Sequence, residues 1–431
     1  PGRAPQSRRA AGGGLARGPA AAARGGGPAG GRGGAMAEGG GELAELVGFL
    51  GDAKVRPALP TRPPAPTPPP PLLCALAGCG GSGWGKGADA GGVGGGLPAP
   101  RQAEVRKEAV RIVAGLTGDP VGLQQLAARA PELCPLLLRL LHAKAPETSK
   151  LALSALVNLC QDPRVVAALL GARGVEQAME ALQAMEPRRN PQFGVAASLV
   201  ANLTQAEAGC AKFLQLGESF EGLFLTWLLR KLASVHPAAA GAADPAEHLG
   251  AVLTNLTRFP AGRRHVTGAE ELRALLALRR TGSGERRRCV YGALKNCCME
   301  ALRDDLLERL LDPAAGLVAA LMEPVSGRKA GEEGHEADAG AREAAAEALL
   351  ALASTDVGFE ALWAADAPKV LNNGYSFEEA PGVCDALERC AELFLSSGKV
   401  SEVSSGEGQG EGEGGEREVN CAFVPLGTAL R

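Results

Sequence analysis

Apolar residues recur along this chain at the spacing of one helix face. Counting back from Leu116, Leu159, Leu203, Leu256, Cys297 and Leu352, the positions seven, four and three residues earlier are always apolar. They read Ala109/Ile112/Val113, Ala152/Ala155/Leu156, Ala196/Leu199/Val200, Leu249/Val252/Leu253, Val290/Ala293/Leu294 and Ala345/Ala348/Leu349. Spacing of i, i+3, i+4, i+7 predicts amphipathic α-helices. The six anchors lie 43, 44, 53, 41 and 55 residues apart. A helical unit at that period cannot bury its face alone and must stack on its neighbours. The expected fold is therefore all-α: an armadillo/HEAT-like right-handed solenoid of about six repeats, a type of fold that usually serves as a binding surface.

Breaks in the pattern set the expected boundaries. Asp119-Pro120, Asp162-Pro163 and Phe259-Pro260 follow three anchors. Proline there ends one helix and opens the next, where its missing N–H costs nothing, and Asp before it is a fitting cap. The repeat body is predicted to span 101–396. Two excursions, around His236–Asp244 and Glu323–Gly340, are expected to be surface loops; the second carries Glu332, Glu333, Glu336 and Asp338. Residues 36–56 hold a first helical segment, with Leu43, Leu46, Val47 and Leu50 on one face. Residues 57–100 are Pro- and Gly-rich and are expected to be a disordered insert. The insert is flanked by Ala53-Lys54-Val55-Arg56 and Ala103-Glu104-Val105-Arg106. Joining Arg56 to Lys107 would give one continuous helix starting at Asp52, so 57–106 reads as a retained intron or lineage-specific insertion. Residues 1–35, Arg-rich and without acids, are expected to be disordered and read as untranslated-region sequence preceding Met36. Residues 397–431 are expected to be a disordered acidic tail.

Composition narrows the function class. Aromatics are 3% of the 431 residues, which suits close helix packing and argues against an all-β fold. A net charge of −3 gives no global attraction to nucleic acid or an acidic membrane. No apolar run approaches the roughly 20 residues of a membrane span. The eleven cysteines are scattered without a CxxC pair, which predicts reduced thiols and a cytoplasmic setting.

Motifs that could carry chemistry are weak. Gly80, Gly85 and Lys86 approach a phosphate-binding loop, but Gly87 stands where Ser or Thr would hold magnesium. Gly78, Gly80 and Gly83 match a dinucleotide fingerprint without a preceding strand. The sequons at Asn202 and Asn255 fall inside predicted helices. Adjacent helical residues diverge by about 100°, so Cys297-Cys298 is a poor metal pair. No catalytic constellation, metal site or cofactor is expected.

The candidate binding residues form two sets. Asn158, Asn202, Asn255 and Asn296 each precede an anchor. Asn is a mediocre helix former, so four in register invite a reason. Either each amide ties neighbouring helix ends together, or the four form a ladder for an extended peptide. Stacked helices sit about 8–10 Å apart, and a peptide advances about 3.3–3.6 Å per residue. The second set is a basic cluster, Arg279, Arg280, Arg286, Arg287, Arg288 and Lys295, read either as a solvated helix start or as a patch for an acidic partner.

Gly115-Leu116-Thr117-Gly118, Ala155-Leu156-Val157-Asn158-Leu159, Asn255-Leu256-Thr257-Arg258 and above all Leu294-Lys295-Asn296-Cys297-Cys298-Met299-Glu300 resemble the eukaryotic HGH homologue family. The resemblance covers roughly 101–396. It implies an armadillo-like, non-enzymatic adaptor that helps newly made translation elongation factor two fold, together with the ring chaperonin TRiC/CCT. The short Gly/Glu stretch between Glu323 and Asp338 departs from the family pattern. Competing readings are a nuclear import adaptor and an enzyme using Cys297-Cys298 or the Gly-rich loop. Import grooves pair Trp with each Asn; the matching positions here are Ser154, Ser198, Ala251 and Gly292.

Overall fold

The computed structural model describes residues 99–237, 243–329 and 331–397, with backbone alone for 99–102. The segments 1–35, 36–56 and most of 57–100 lie outside the described residues, as do the Gly-rich motifs near Gly80 and all but Ser397 of the tail.

Among the described residues there are nineteen α-helices and no strand. After α1 (Ala99–Leu116) they fall into triplets. These are α2–α4 (Pro120–Ala127, Ala130–Leu140, Pro146–Leu159) and α5–α7 (Pro163–Gly171, Gly174–Gln183, Phe193–Leu203). Next come α8–α10 (Glu207–Leu214, Leu223–Ser234, Glu247–Thr257) and α11–α13 (Pro260–Val266, Ala269–Ala277, Gly284–Met299). The last two are α14–α16 (Leu307–Leu310, Leu317–Met322, Ala339–Ala353) and α17–α19 (Asp356–Ala364, Ala367–Tyr375, Pro381–Ser396).

Every third helix, from α1 through α4, α7, α10, α13 and α16 to α19, packs on the next of the series. This is an armadillo-like solenoid with seven helices in the stack, one more than the anchors predicted. The seventh follows the same rule. Leu387, Cys390 and Ala391 precede Phe394 by seven, four and three residues, and all four are buried. Six of the seven anchors are fully or almost fully buried; Leu116 is only half-buried. At the N-terminal end Val110 is buried, whereas Ile112, predicted for the core, is 41% exposed. Among the described residues no helix precedes α1 in the stack.

Local chemistry explains the sharp corners after the anchors. Asp119 accepts from the N–H of Gly122 (2.8 Å) and Asp162 from that of Arg164 (2.8 Å), each capping a helix that Pro opens. Glycine lies six residues past the anchor in four units, as Gly122, Gly209, Gly262 and Gly358. A Cβ at Gly209 or Gly262 would sit 1.9 Å from the carbonyl oxygen of Leu203 or Leu256. The new helix thus crosses directly over the carbonyl that ended the old one, and a side chain would push them apart.

The excursion 323–340, expected to be a surface loop, is folded onto the body. Glu323–Val325 form a 3₁₀ turn, Glu336 is buried, and Asp338 caps α16 by accepting from Ala341 N–H (2.8 Å). Four of the excursion's acids, Glu323, Glu333, Glu336 and Asp338, have arginine partners, and these hold it against the body.

Candidate functional site

The basic cluster is where those partners lie. Arg279 binds Glu323 (3.0 Å), and Arg280 binds Glu323 and Glu333. Arg287 grips both oxygens of Glu336 (2.6 and 2.8 Å). Arg288 grips both oxygens of Asp338 (2.9 and 2.6 Å) and also meets Glu285. Lys295 pairs with Glu347 on α16 (2.8 Å). Burial pushes the carboxyls of Glu323 and Asp338 up, but the hydrogen bonds from these arginines outweigh it and hold both below the ordinary range.

Arg286 corrects the sequence reading. It is 0% exposed and cannot meet a partner. Its guanidinium binds Asp244, also inaccessible, and donates to the carbonyls of Leu232 (2.7 Å) and Val235 (2.8 Å) at the end of α9. Asp244 in turn accepts from the N–H groups of Ala246 (3.0 Å) and Ser283 (2.9 Å). The excursion around His236–Asp244 therefore ends in a buried ion pair that joins α9 to α13. Runs of arginine look alike in sequence whether they face water or an internal acid, and the acids lie some 40–50 residues away in the chain.

The asparagines are used in a regular way. Each donates its Nδ2 to the preceding unit of the stack. Asn158 donates to Thr117 Oγ1 (2.9 Å), Asn255 to Thr204 Oγ1 (3.2 Å) and Asn296 to Thr257 Oγ1 (3.1 Å). Asn255 also reaches Ala201 O (2.8 Å), and Asn296 reaches Thr254 O (3.4 Å). The three threonines directly follow anchors, are buried, and spend their own proton on carbonyls of their helix, such as Thr117 on Ala114 O (2.7 Å). A threonine hydroxyl has lone pairs left to accept the amide. Unit two has Cys160 at that place, and Asn202 turns instead to Val157 O (3.5 Å). The recurring Leu-Thr after the anchors was the sequence signal for this relay. Buried Thr204 and Thr257 also belong to the two sequons.

The amides thus tie units together through their donors. Their acceptors are another matter. Among the described residues the Oδ1 atoms of Asn158, Asn255 and Asn296 have no protein partner, yet none is a sealed, unsatisfied atom. One turn back on the same face stand the small, half-buried residues Ser154, Ser198, Ala251 and Gly292. What the arrangement offers is a row of carbonyl oxygens over a floor of small side chains.

The thiols offer nothing comparable. Burial pushes Cys297 up to about 12 and Cys298 well above its ordinary value, so neither is a thiolate at neutral pH. Among the described residues no cluster of three or more His, Cys, Asp or Glu could hold a metal, and no helix is long and apolar enough to cross a membrane.

Comparisons with known proteins fit this picture. Residues 184–338 match the family described as "Domain of unknown function (DUF383)", a span that closes on Asp338. An engineered protein of known crystal structure aligns with a TM-score of 0.53 at 20% identity, covering 69% of each chain, a likeness of fold alone. The chain is 31% identical to Protein HGH1 homolog of Mus musculus, over 68% of this chain and 78% of that one. It is 30% identical to the Xenopus tropicalis protein of the same name, over 68% and 84%. The Homo sapiens protein is also 30% identical, over 68% and 78%. On these identities and coverages, the chain belongs to the HGH1 homolog family.

Proposed function

We propose that this chain is a non-enzymatic, cytoplasmic protein-binding adaptor that helps newly made translation elongation factor two fold, in company with the TRiC/CCT chaperonin. The observation that carries the binding part is the row of asparagine Oδ1 atoms on the stacked helices, of which those of Asn158, Asn255 and Asn296 have no protein partner among the described residues. An extended client segment would donate its backbone N–H groups to Asn158, Asn255 and Asn296; Asn202, whose Oδ1 accepts from the exposed Gln205 amide (3.4 Å), would join the row once that amide swings away. Asn255 and Asn296 have no donor left for it, since both their N–H groups serve the neighbouring unit, whereas Asn158 and Asn202 each spend one of two there. Of the basic set, Arg287, Arg288 and Lys295 are already neutralised by internal acids and are left to a supporting role at most. The client and the chaperonin are supported by family resemblance. The small residues at 154, 198, 251 and 292, where an import groove would carry Trp, disfavour a nuclear import adaptor.

The test uses immobilised full chain in a translation extract making elongation factor two. Wild type should retain the nascent factor together with chaperonin. Asn255→Ala with Asn296→Ala should weaken capture in protein whose folding is checked by circular dichroism. Capture unchanged in the folded double variant removes the asparagines from the binding site. No capture by wild type removes the client.

A further inference from the structure

One turn beyond each asparagine, on the same helix face, stands another exposed residue: Gln161, Gln205, Arg258 and Met299. The first two fold back on their own helix ends. Gln161 Nε2 donates to Asn158 O (3.0 Å) and Gln205 Nε2 to Asn202 Oδ1 (3.4 Å). The next two do not. Arg258 makes no ion pair among the described residues, unlike the five arginines from 279 to 288. Its guanidinium lies over the Phe259 ring, 5.9 Å from the centroid, a contact that steadies it while leaving N–H groups to solvent. Met299, on the neighbouring helix of the stack, is 61% exposed, and Leu302 just beyond it is 72% exposed. An unpaired cation thus stands next in register to an apolar pair, beside Asn255 and Asn296.

We propose that Arg258, Met299 and Leu302 read the side chains of the bound segment: a carboxylate at Arg258 and a large apolar group at Met299 and Leu302. This rests on the asparagine row holding the segment's backbone. Stacked helices about 8–10 Å apart, against about 3.3–3.6 Å per extended residue, set the two features two or three residues apart. Charge complementarity selects the acid, because a carboxylate can take the guanidinium's free N–H groups in a two-point contact. Methionine adapts to apolar groups of varied shape, so the second position selects for size and apolarity rather than one residue.

The probes are short fluorescent peptides in a Ser/Thr/Gln background, with Glu and Leu two or three residues apart in either order. Controls replace Glu by Lys, or Leu by Ser. Binding to the full chain is read by anisotropy at low and high salt. The Glu/Leu peptides should bind about three- to tenfold tighter than their Lys counterparts, with the gap narrowing at high salt. Arg258→Glu should reverse that preference. Met299→Ser with Leu302→Ser should abolish the preference for Leu and keep that for Glu. Equal binding of Glu and Lys peptides, or an unchanged preference in Arg258→Glu, overturns the proposal while leaving the asparagine row standing. Asn255→Ala with Asn296→Ala should weaken all peptides alike; if it weakens none, the row fails separately. If no peptide binds wild type, both fail.

Discussion

Replacing Asp244 by Ala should be among the most damaging single changes in this chain. The carboxylate and Arg286 are both inaccessible to solvent. Removing the acid leaves a guanidinium buried beside the Leu232 and Val235 carbonyls with no counter-charge. It also strands the N–H groups of Ala246 and Ser283. Breaking a buried pair from one side costs about 3–5 kcal/mol. That is a large share of the roughly 5–15 kcal/mol that hold a typical domain folded. Arg286→Met should cost a similar amount, because it strands Asp244 and two carbonyls. Removing both charges together should cost about 2 kcal/mol or more less than the sum, since neither charge is then left alone. Urea unfolding followed by circular dichroism gives the three values. Hydrogen exchange in 223–235 and 284–299 shows whether the loss is local, as expected where each unit touches only its neighbours. Additive single costs, or an Asp244→Ala chain as stable as wild type, would refute the assignment of the pair as the clasp between α9 and α13.

Other expectations follow from the same geometry. Asp244, Glu323, Asp338 and Glu378 are pushed up by burial, but their arginine partners and backbone N–H groups outweigh this and hold them low. A depressed carboxyl contributes stability above its unfolded value of about 4, and that contribution is lost as pH falls through the folded value. Melting temperature should therefore be flat near neutrality and fall below about pH 4; no fall in acid would contradict the strap of ion pairs. Gly262→Ala should destabilise by about 1–3 kcal/mol, because its Cβ would meet Leu256 O; the same change at Gly171, whose Cβ would meet nothing within 4 Å, is the control. Deleting 57–106 puts Val55 in place of Val105, which packs on the core at the start of α1. Melting temperature should hold or rise, and a large drop would make the segment structural.

The fold was legible because stacking demands a periodic apolar face, and Ala/Leu spacing records that demand directly. Leu116 through Leu352 could be placed by counting alone. Phe394 escaped because an aromatic replaced the Leu-like anchor and no Asn precedes it. The site was legible only in part. The asparagines announced themselves by register, but the sharing of each amide between donor and acceptor roles depends on a threonine some 39–51 residues earlier. The arginine run was visible, yet its burial depends on acids from the excursions, which have no periodicity to reveal what they face. Arg258 was hidden for the opposite reason. A lone arginine after a helix gives no sign in sequence that it lacks a partner, whereas the structure pairs the run at 279–288.

The threonine-to-asparagine relay also bears on how such arrays can be recombined. A unit cut as a helical triplet, Glu207 to Thr257, carries its own amide but leaves Thr204, the hydroxyl that receives it, with the unit before. Grafted behind Cys160 rather than behind Thr204, the same asparagine would meet a thiol and lose its hydroxyl acceptor. The exchangeable module is thus not the helical triplet but the stretch that opens on the threonine and closes on the asparagine and anchor of the next stacked helix. Chimeras joined in that frame keep each hydroxyl with the amide that uses it, and neither seam divides a pair.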